Sequence, residues 1–294
     1  MTRFAILLAA ALAFGAPATA DTWTPLVTPA EAEALIEDEA VVIDIRSVKD
    51  YAAGHLETAV NLPYHAWRGP EDNPGALIDD AKVSALLREA GIEPATPVIV
   101  TNAGRDSLDF GAAARVYWTL KSAGVERVAI LNGGLAAWTR DGRGLSSAEW
   151  SNIPSDANFT LAPDWTIDRA GVEAVLDGSA DAILIDARPE DFFTGKTKHK
   201  LATWAGTLAG ALNLDHDTLF TAPGVLNADP QAIRARAEAA GWTPGRTVVS
   251  FCNTGHWAAT NWFALSELAG IEGVKLYPES MVDFTRASQV STGG

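Results

Sequence analysis

Apolar and polar positions along this chain follow two rhythms, and the same order of rhythms occurs twice. In "VTPAEAEALI" apolar residues recur at helical spacing behind Thr28, a residue type whose side-chain oxygen caps helix N-termini. The β-branched run Ala40–Arg46 follows, continuous enough to predict a buried strand. Much later "TIDRAGVEAVL", capped by Asp168, leads into a second such run, Asp181–Arg188. Both runs end in Asp-x-Arg: Asp44-Ile45-Arg46 and Asp186-Ala187-Arg188.

The correspondence extends further. "GHLETAVNLPY" from Gly54 is matched by "GTLAGALNLDH" from Gly206, and Leu86–Asn102 by Arg236–Asn253. Gly91 precedes Asn102 by the same interval as Gly241 precedes Cys252, so Asn102 holds the register of Cys252. Helical segments alternating with short β-branched runs predict α/β units around a parallel sheet, and two copies predict a duplication rather than a solenoid. The stretch Thr139–Trp165, rich in Gly, Ser, Pro and Asn, breaks the rhythm. The expected layout is a first α/β domain over 21–142, a linker over 143–164 and a second α/β domain over 165–294.

The copies differ in one connection. Between Asp186 and Asn213 the second copy is longer, and its insert holds the densest basic cluster of the chain: Lys196, Lys198, His199 and Lys200. Such a cluster is either a solvated loop or a local positive field for an anionic substrate.

Charge and composition narrow the partners. The 294 residues carry a net charge of −15, which argues against nucleic acid or an anionic membrane. Residues 1–20, with Arg3, an apolar run and the small-residue end Ala18-Thr19-Ala20, have the layout of an export signal and too short a run for a bilayer span. Its cleavage predicts a mature chain from Asp21, free of the membrane, in an oxidising compartment, most simply a bacterial periplasm. Exported proteins pair their cysteines, yet this one has a single Cys252, so no internal disulfide exists. That thiol is an inert core residue, an intermolecular partner or a nucleophile.

Its setting favours the nucleophile. "TVVSF" predicts a buried parallel strand and "WAATNWFALSELAG" a helix, leaving Cys252, Asn253, Thr254, Gly255 and His256 to turn between them. Ligands bind beyond the carboxyl ends of parallel strands, and the unpaired N–H groups of a first helical turn favour negative charge. Cys252 is therefore expected to ionise more readily than a free cysteine. Asn253 and Thr254 offer an amide and a hydroxyl to an oxyanion, and His256 beside Trp257 adds charge or only packs. No cysteine or histidine pair has metal-ligand spacing, so no metal site is expected.

These motifs, with "VAILNGGLAAW" at Val128–Trp138, resemble the tandem-domain rhodanese family of thiosulfate and 3-mercaptopyruvate sulfurtransferases. The resemblance implies two parallel sheets flanked by helices, a first copy without cysteine and a second that carries it. It further implies transfer of sulfane sulfur from a small anionic donor, through a Cys252 persulfide, to cyanide or a thiol, including a protein thiol. A carrier that holds the persulfide for another exported protein is the alternative. Carried over by motif, Asp186 holds the loop and Arg188 contacts substrate, while Asn253, Thr254, Gly255, His256 and Trp257 line the site.

Departures from the family pattern bear on the donor. Asn253-Thr254 replaces the basic pair of the thiosulfate enzymes, and Thr254 resembles the small hydroxyl of the mercaptopyruvate enzymes. The arginines that each subfamily uses upstream are replaced by Phe192 and Thr194. Lys196 or Lys198 is expected to supply the missing charge. A phosphatase loop would end in arginine six positions after the cysteine, where Ala258 stands.

Overall fold

Thr28 starts the first copy as its sequence predicts: its side chain accepts the Glu31 amide, and Glu31 accepts the Thr28 amide in return. This closes the N-terminus of α1 (Pro29–Glu37) in a computed structural model that describes residues 23–148, 150–288 and 290–291. The export signal expected over residues 1–20 lies outside the described residues. Five parallel strands follow the apolar runs: β1 (Leu26–Val27), β2 (Val41–Asp44), β3 (Ala59–Asn61), β4 (Val98–Thr101) and β5 (Val128–Leu131). Their order in the sheet is β1-β5-β4-β2-β3. Helices α2 (Val48–Ala52), α3 (Asp80–Glu89), α4 (Ser107–Ser122) and α5 (Gly134–Arg140) make the crossovers with α1.

The second copy repeats the plan with α6 (Arg169–Leu176), β6 (Ile183–Asp186), α7 (Glu190–Phe193), β7 (Leu212–Asn213), α8 (Pro230–Ala239), β10 (Val248–Phe251), α9 (Trp257–Trp262), β11 (Lys275–Leu276) and α10 (Ser280–Ala287). Asp168 caps α6 by accepting the Gly171 amide. The sheet order is β11-β10-β6-β7, and a single parallel bridge, Thr166 to Leu276, stands where β1 pairs with β5 in the first copy. Thr101 is level with Asp44, and Phe251 with Asp186. Asn102 and Cys252 are thus each the first residue beyond the carboxyl end of an equivalent central strand.

The two copies share one core. Helix α4, buried along most of its length, packs on α9 and its π-helical continuation Phe263–Leu268. Tyr117 meets Phe263 edge-on at 4.8 Å and Phe110 does so at 5.8 Å, and one apolar cluster runs through both copies. The expected linker is a strap on the first copy: Phe159 is buried, Ser84 bonds its backbone, and Asn152 donates to the Ala90 carbonyl. A hairpin of β8 (Phe220–Ala222) and β9 (Val225–Leu226) ties the copies elsewhere. Its Leu226 exchanges two hydrogen bonds with the Asn132 side chain, and Gly224 lies against the backbone of Gly104.

Candidate active site

The Asp-x-Arg motifs build the same clasp in both copies. Arg188 donates from Nε and Nη2 to the Asp186 carboxylate and from Nη2 to the Gly206 carbonyl; Arg46 does the same with Asp44 and Gly54. Asn213 then bridges the carbonyls of Asp186 and Arg188, as Asn61 bridges those of Asp44 and Arg46. Arg188 is buried and spent on this clasp, and its remaining bond, 3.4 Å to Asn253 Oδ1, steadies the cysteine loop. The expectation that Arg188 contacts substrate is thereby corrected: it lies outside the cavity described below, because a buried guanidinium persists only when its donors are satisfied.

The loop after β10 is held from behind, carbonyl by carbonyl. Met281 and Val282 amides, at the start of α10, donate to the carbonyls of Cys252 and Asn253. Arg68 donates to the Thr254 carbonyl at 2.7 Å and Arg115 to the Gly255 carbonyl at 3.3 Å. The Cys252 amide is taken by Ser280 Oγ at 3.0 Å. Among the described residues the amides of 253–257 donate to no protein acceptor. Carbonyls tied outward and amides left over make a cradle for negative charge. Gly255, at φ 66°, is required there, since a Cβ would collide with the Pro278 carbonyl and Arg115.

Cys252 is 1% exposed, but it reaches a cavity of about 270 Å³ lined by Leu108, His199, Asn253, Thr254, His256 and Trp257. The structure thus brings together Cys252, Asn253, Thr254, His256 and Trp257 from the sequence expectation. Trp257 stacks on His216 at 5.0 Å and meets Phe192 edge-on at 5.6 Å. His256 is a bridge between the copies. Its Nε2 donates to the Leu108 carbonyl and its Nδ1 accepts the Tyr64 hydroxyl, both at 2.9 Å. Burial first, then the nearby Arg68 charge, lower its pKa to about 3, so it packs and brings no positive charge.

Lys196 and Lys198 are corrected as well. Lys196 is exposed and paired with Asp191 at 3.0 Å, and Lys198 donates to the Ala202 carbonyl. Neither lines the cavity; His199, next to Lys198, does. Both lysines are exposed and have an acceptor within reach in the insert itself, a contact of little energetic weight that nonetheless turns their charge away from the cysteine loop.

Sequence reasoning missed Tyr64, Arg68 and Arg115, all from the first copy. Arg115 is 1% exposed on α4, and burial, followed by the Arg68 charge, pushes its pKa down to about 9. Among the described residues neither arginine forms an ion pair, so both present net positive charge to the loop. The signal for Arg115 was present: an arginine inside the apolar run "FGAAARVYWTL" has to find buried acceptors. Arg68 and Tyr64 carry no such local mark.

Comparison with known proteins agrees with this architecture. The rhodanese-like domain family matches residues 28–141 and again 171–287. A Mycobacterium bovis protein named "Putative thiosulfate sulfurtransferase 1" is 30% identical over 242 residues, 80% of this chain and 84% of that one. A Synechococcus elongatus protein named as a thiosulfate sulfurtransferase in the same qualified way is 28% identical over 275 residues, 89% of this chain and 83% of that one. Among solved structures, the anaerobic ergothioneine biosynthesis enzyme from Chlorobium limicola, in complex with trimethyl histidine, superposes with a TM-score of 0.79 at 20% identity. That likeness, over 92% of this chain and 70% of the other, is one of fold. Two matches to a single family, falling on the two halves that carry the same clasp and the same strand-end register, make this chain a member of the rhodanese-like domain family with two copies in tandem.

Proposed function

We propose that the protein is a sulfurtransferase that carries sulfane sulfur on Cys252 as a persulfide. The observation that carries this reading is the cradle of unpaired amides at 253–257 around the only thiol of the chain, at the wall of a cavity sized for a small donor. With thiosulfate, the Cys252 thiolate attacks the outer sulfur, the S–S bond breaks, and sulfite leaves with the electron pair. With 3-mercaptopyruvate the C–S bond breaks instead, and the enolate of pyruvate leaves and takes a proton. An acceptor, cyanide or a thiolate, then attacks the outer sulfur and returns the electron pair to Cys252.

No cofactor enters this cycle, because the cysteine holds the group covalently. Negative charge on the persulfide and on the departing anion is met by the same amides, which need no reorganisation. The first copy is read as non-catalytic, with Asn102 in the place of the thiol, and as the source of the arginines behind the loop. We place the mature protein in the periplasm, on the strength of residues 1–20.

Intact-mass measurement tests the reading. Purified mature protein is incubated with thiosulfate or with 3-mercaptopyruvate, and a gain of one sulfur atom, absent in Cys252→Ala and removed by cyanide, is the expected result. No gain with either donor overturns it.

A further inference from the structure

The cavity over Cys252 has amides for an anion but few side chains with a donor to spare. Arg188 is closed in its clasp, Arg68 and Arg115 bond loop carbonyls, and none of the three lines the cavity. Lys196 and Lys198 are engaged with Asp191 and Ala202. His256 has both ring nitrogens occupied. Trp257 lines the wall, but its indole nitrogen is buried without a partner. Asn253 and Thr254 also line the cavity with an amide and a hydroxyl, but both belong to the cysteine loop itself; His199 is the lining side chain that brings a free donor from outside that loop. Its Nδ1 accepts the Leu201 amide at 3.3 Å, which assigns the ring proton to Nε2, and Nε2 has no protein acceptor among the described residues.

We propose that His199 is the side chain that contacts the anionic end of the substrate in this cavity, its Nε2–H donating to an oxyanion oxygen of the sulfur donor. The inference rests on the sulfurtransferase reading for the identity of the donor, and on the cavity and the hydrogen bond for the contact itself. Sulfonate and carboxylate present the same acceptor chemistry, so thiosulfate and mercaptopyruvate both qualify. The basic insert thus acts at the site through its histidine, while its lysines act on that histidine. Burial first, then the charges of Lys200 and Lys198, lower the His199 pKa, keeping the ring neutral and its bond to Leu201 intact near neutral pH. The insert has no counterpart in the first copy, so the contact belongs to the cysteine-bearing half alone.

The test compares an anionic with a neutral alkylating agent at Cys252, which reads anion recognition without any sulfur transfer. Wild type, His199→Ala and His199→Gln are treated with iodoacetate and with iodoacetamide after their melting curves have been matched. Loss of one hydrogen bond to a charged group lowers the iodoacetate-to-iodoacetamide rate ratio about tenfold in His199→Ala. In His199→Gln the side-chain amide stands near the place of Nε2 and restores most of the ratio. With each sulfur donor in turn, His199→Ala raises the donor KM and leaves the acceptor KM unmoved, and the donor with the larger rise is the one the contact serves. A His199→Ala ratio within about twofold of wild type, or no modification of Cys252 in any variant, overturns the proposal. Should the ratio fall as expected while wild type gains sulfur from neither donor, the anion contact stands and the sulfurtransferase reading fails.

Discussion

Replacing Arg115 by methionine separates the work of the first copy in folding from its work at the site. The substitution removes the donors to the Gly255 and Gly75 carbonyls and keeps the aliphatic volume inside α4. Each carbonyl left without a partner costs about 1–3 kcal/mol. Against this, the guanidinium is itself a charge taken out of water, at 1% exposure, and burial pushes its pKa down to about 9. Exchange of a buried charge for an apolar side chain is often close to neutral, so the net loss of stability is expected to stay within about 3 kcal/mol. Activity is expected to suffer more. With the Gly255 carbonyl released, the peptide it belongs to no longer fixes the next amide of the cradle, and removal of one well-placed oxyanion donor costs about 10²–10³ in rate. Partial loss of position predicts a fall of about 10–100-fold in the rate of persulfide formation, read by mass under single-turnover conditions beside urea denaturation. Arg115→Lys keeps a charge without the fork and is expected to fall between the two. A rate within about threefold of wild type in a folded Arg115→Met protein would refute the argument that the loop is braced from the first copy.

Two further outcomes follow from the clasp and from the bridging histidine. His256 holds a pKa of about 3 in the folded chain against about 6.5 unfolded, so the unfolded state binds the proton first. Its contribution is complete above about pH 6.5 and is lost as pH falls toward 3; between pH 7 and 5 wild type should lose about 1–2 kcal/mol more than His256→Gln in urea titrations. Asp186→Asn strands Arg188, whose side chain is 2% exposed, and is expected to cost about 3–5 kcal/mol by denaturation. Asp44→Asn should cost less, since Arg46 is 12% exposed and reaches water.

Much of this was legible in the amino-acid order because the signals are local and repeated. Thr28 and Asp168 act as caps, the Asp-x-Arg runs end their strands, and Asn102 matches Cys252, since strand period and capping chemistry depend on neighbours in sequence. The partners of charged side chains were not legible. Lys196 and Lys198 show a positive segment but not that Asp191 and the Ala202 carbonyl absorb it, and Arg188 shows a donor but not that Gly206 and Asp186 exhaust it. Arg68 and Tyr64 meet the loop across nearly two hundred intervening positions, at Thr254 and His256, and no periodicity encodes such a meeting.

The hairpin seated on the first copy also bears on what a side chain at position 102 can reach. Asn102, 3% exposed, spends its side-chain oxygen on the Gly104 amide, while Gly224 presses on Gly104 from the other copy and Val225 on Gly133. A thiol placed at position 102 would look onto neighbouring backbone instead of onto solvent or a donor. A single Asn102→Cys exchange is therefore expected to leave this half without a reachable sulfur: the sister unit's hairpin stands in the doorway, and the contact that joins the two halves is the one that shuts this strand end.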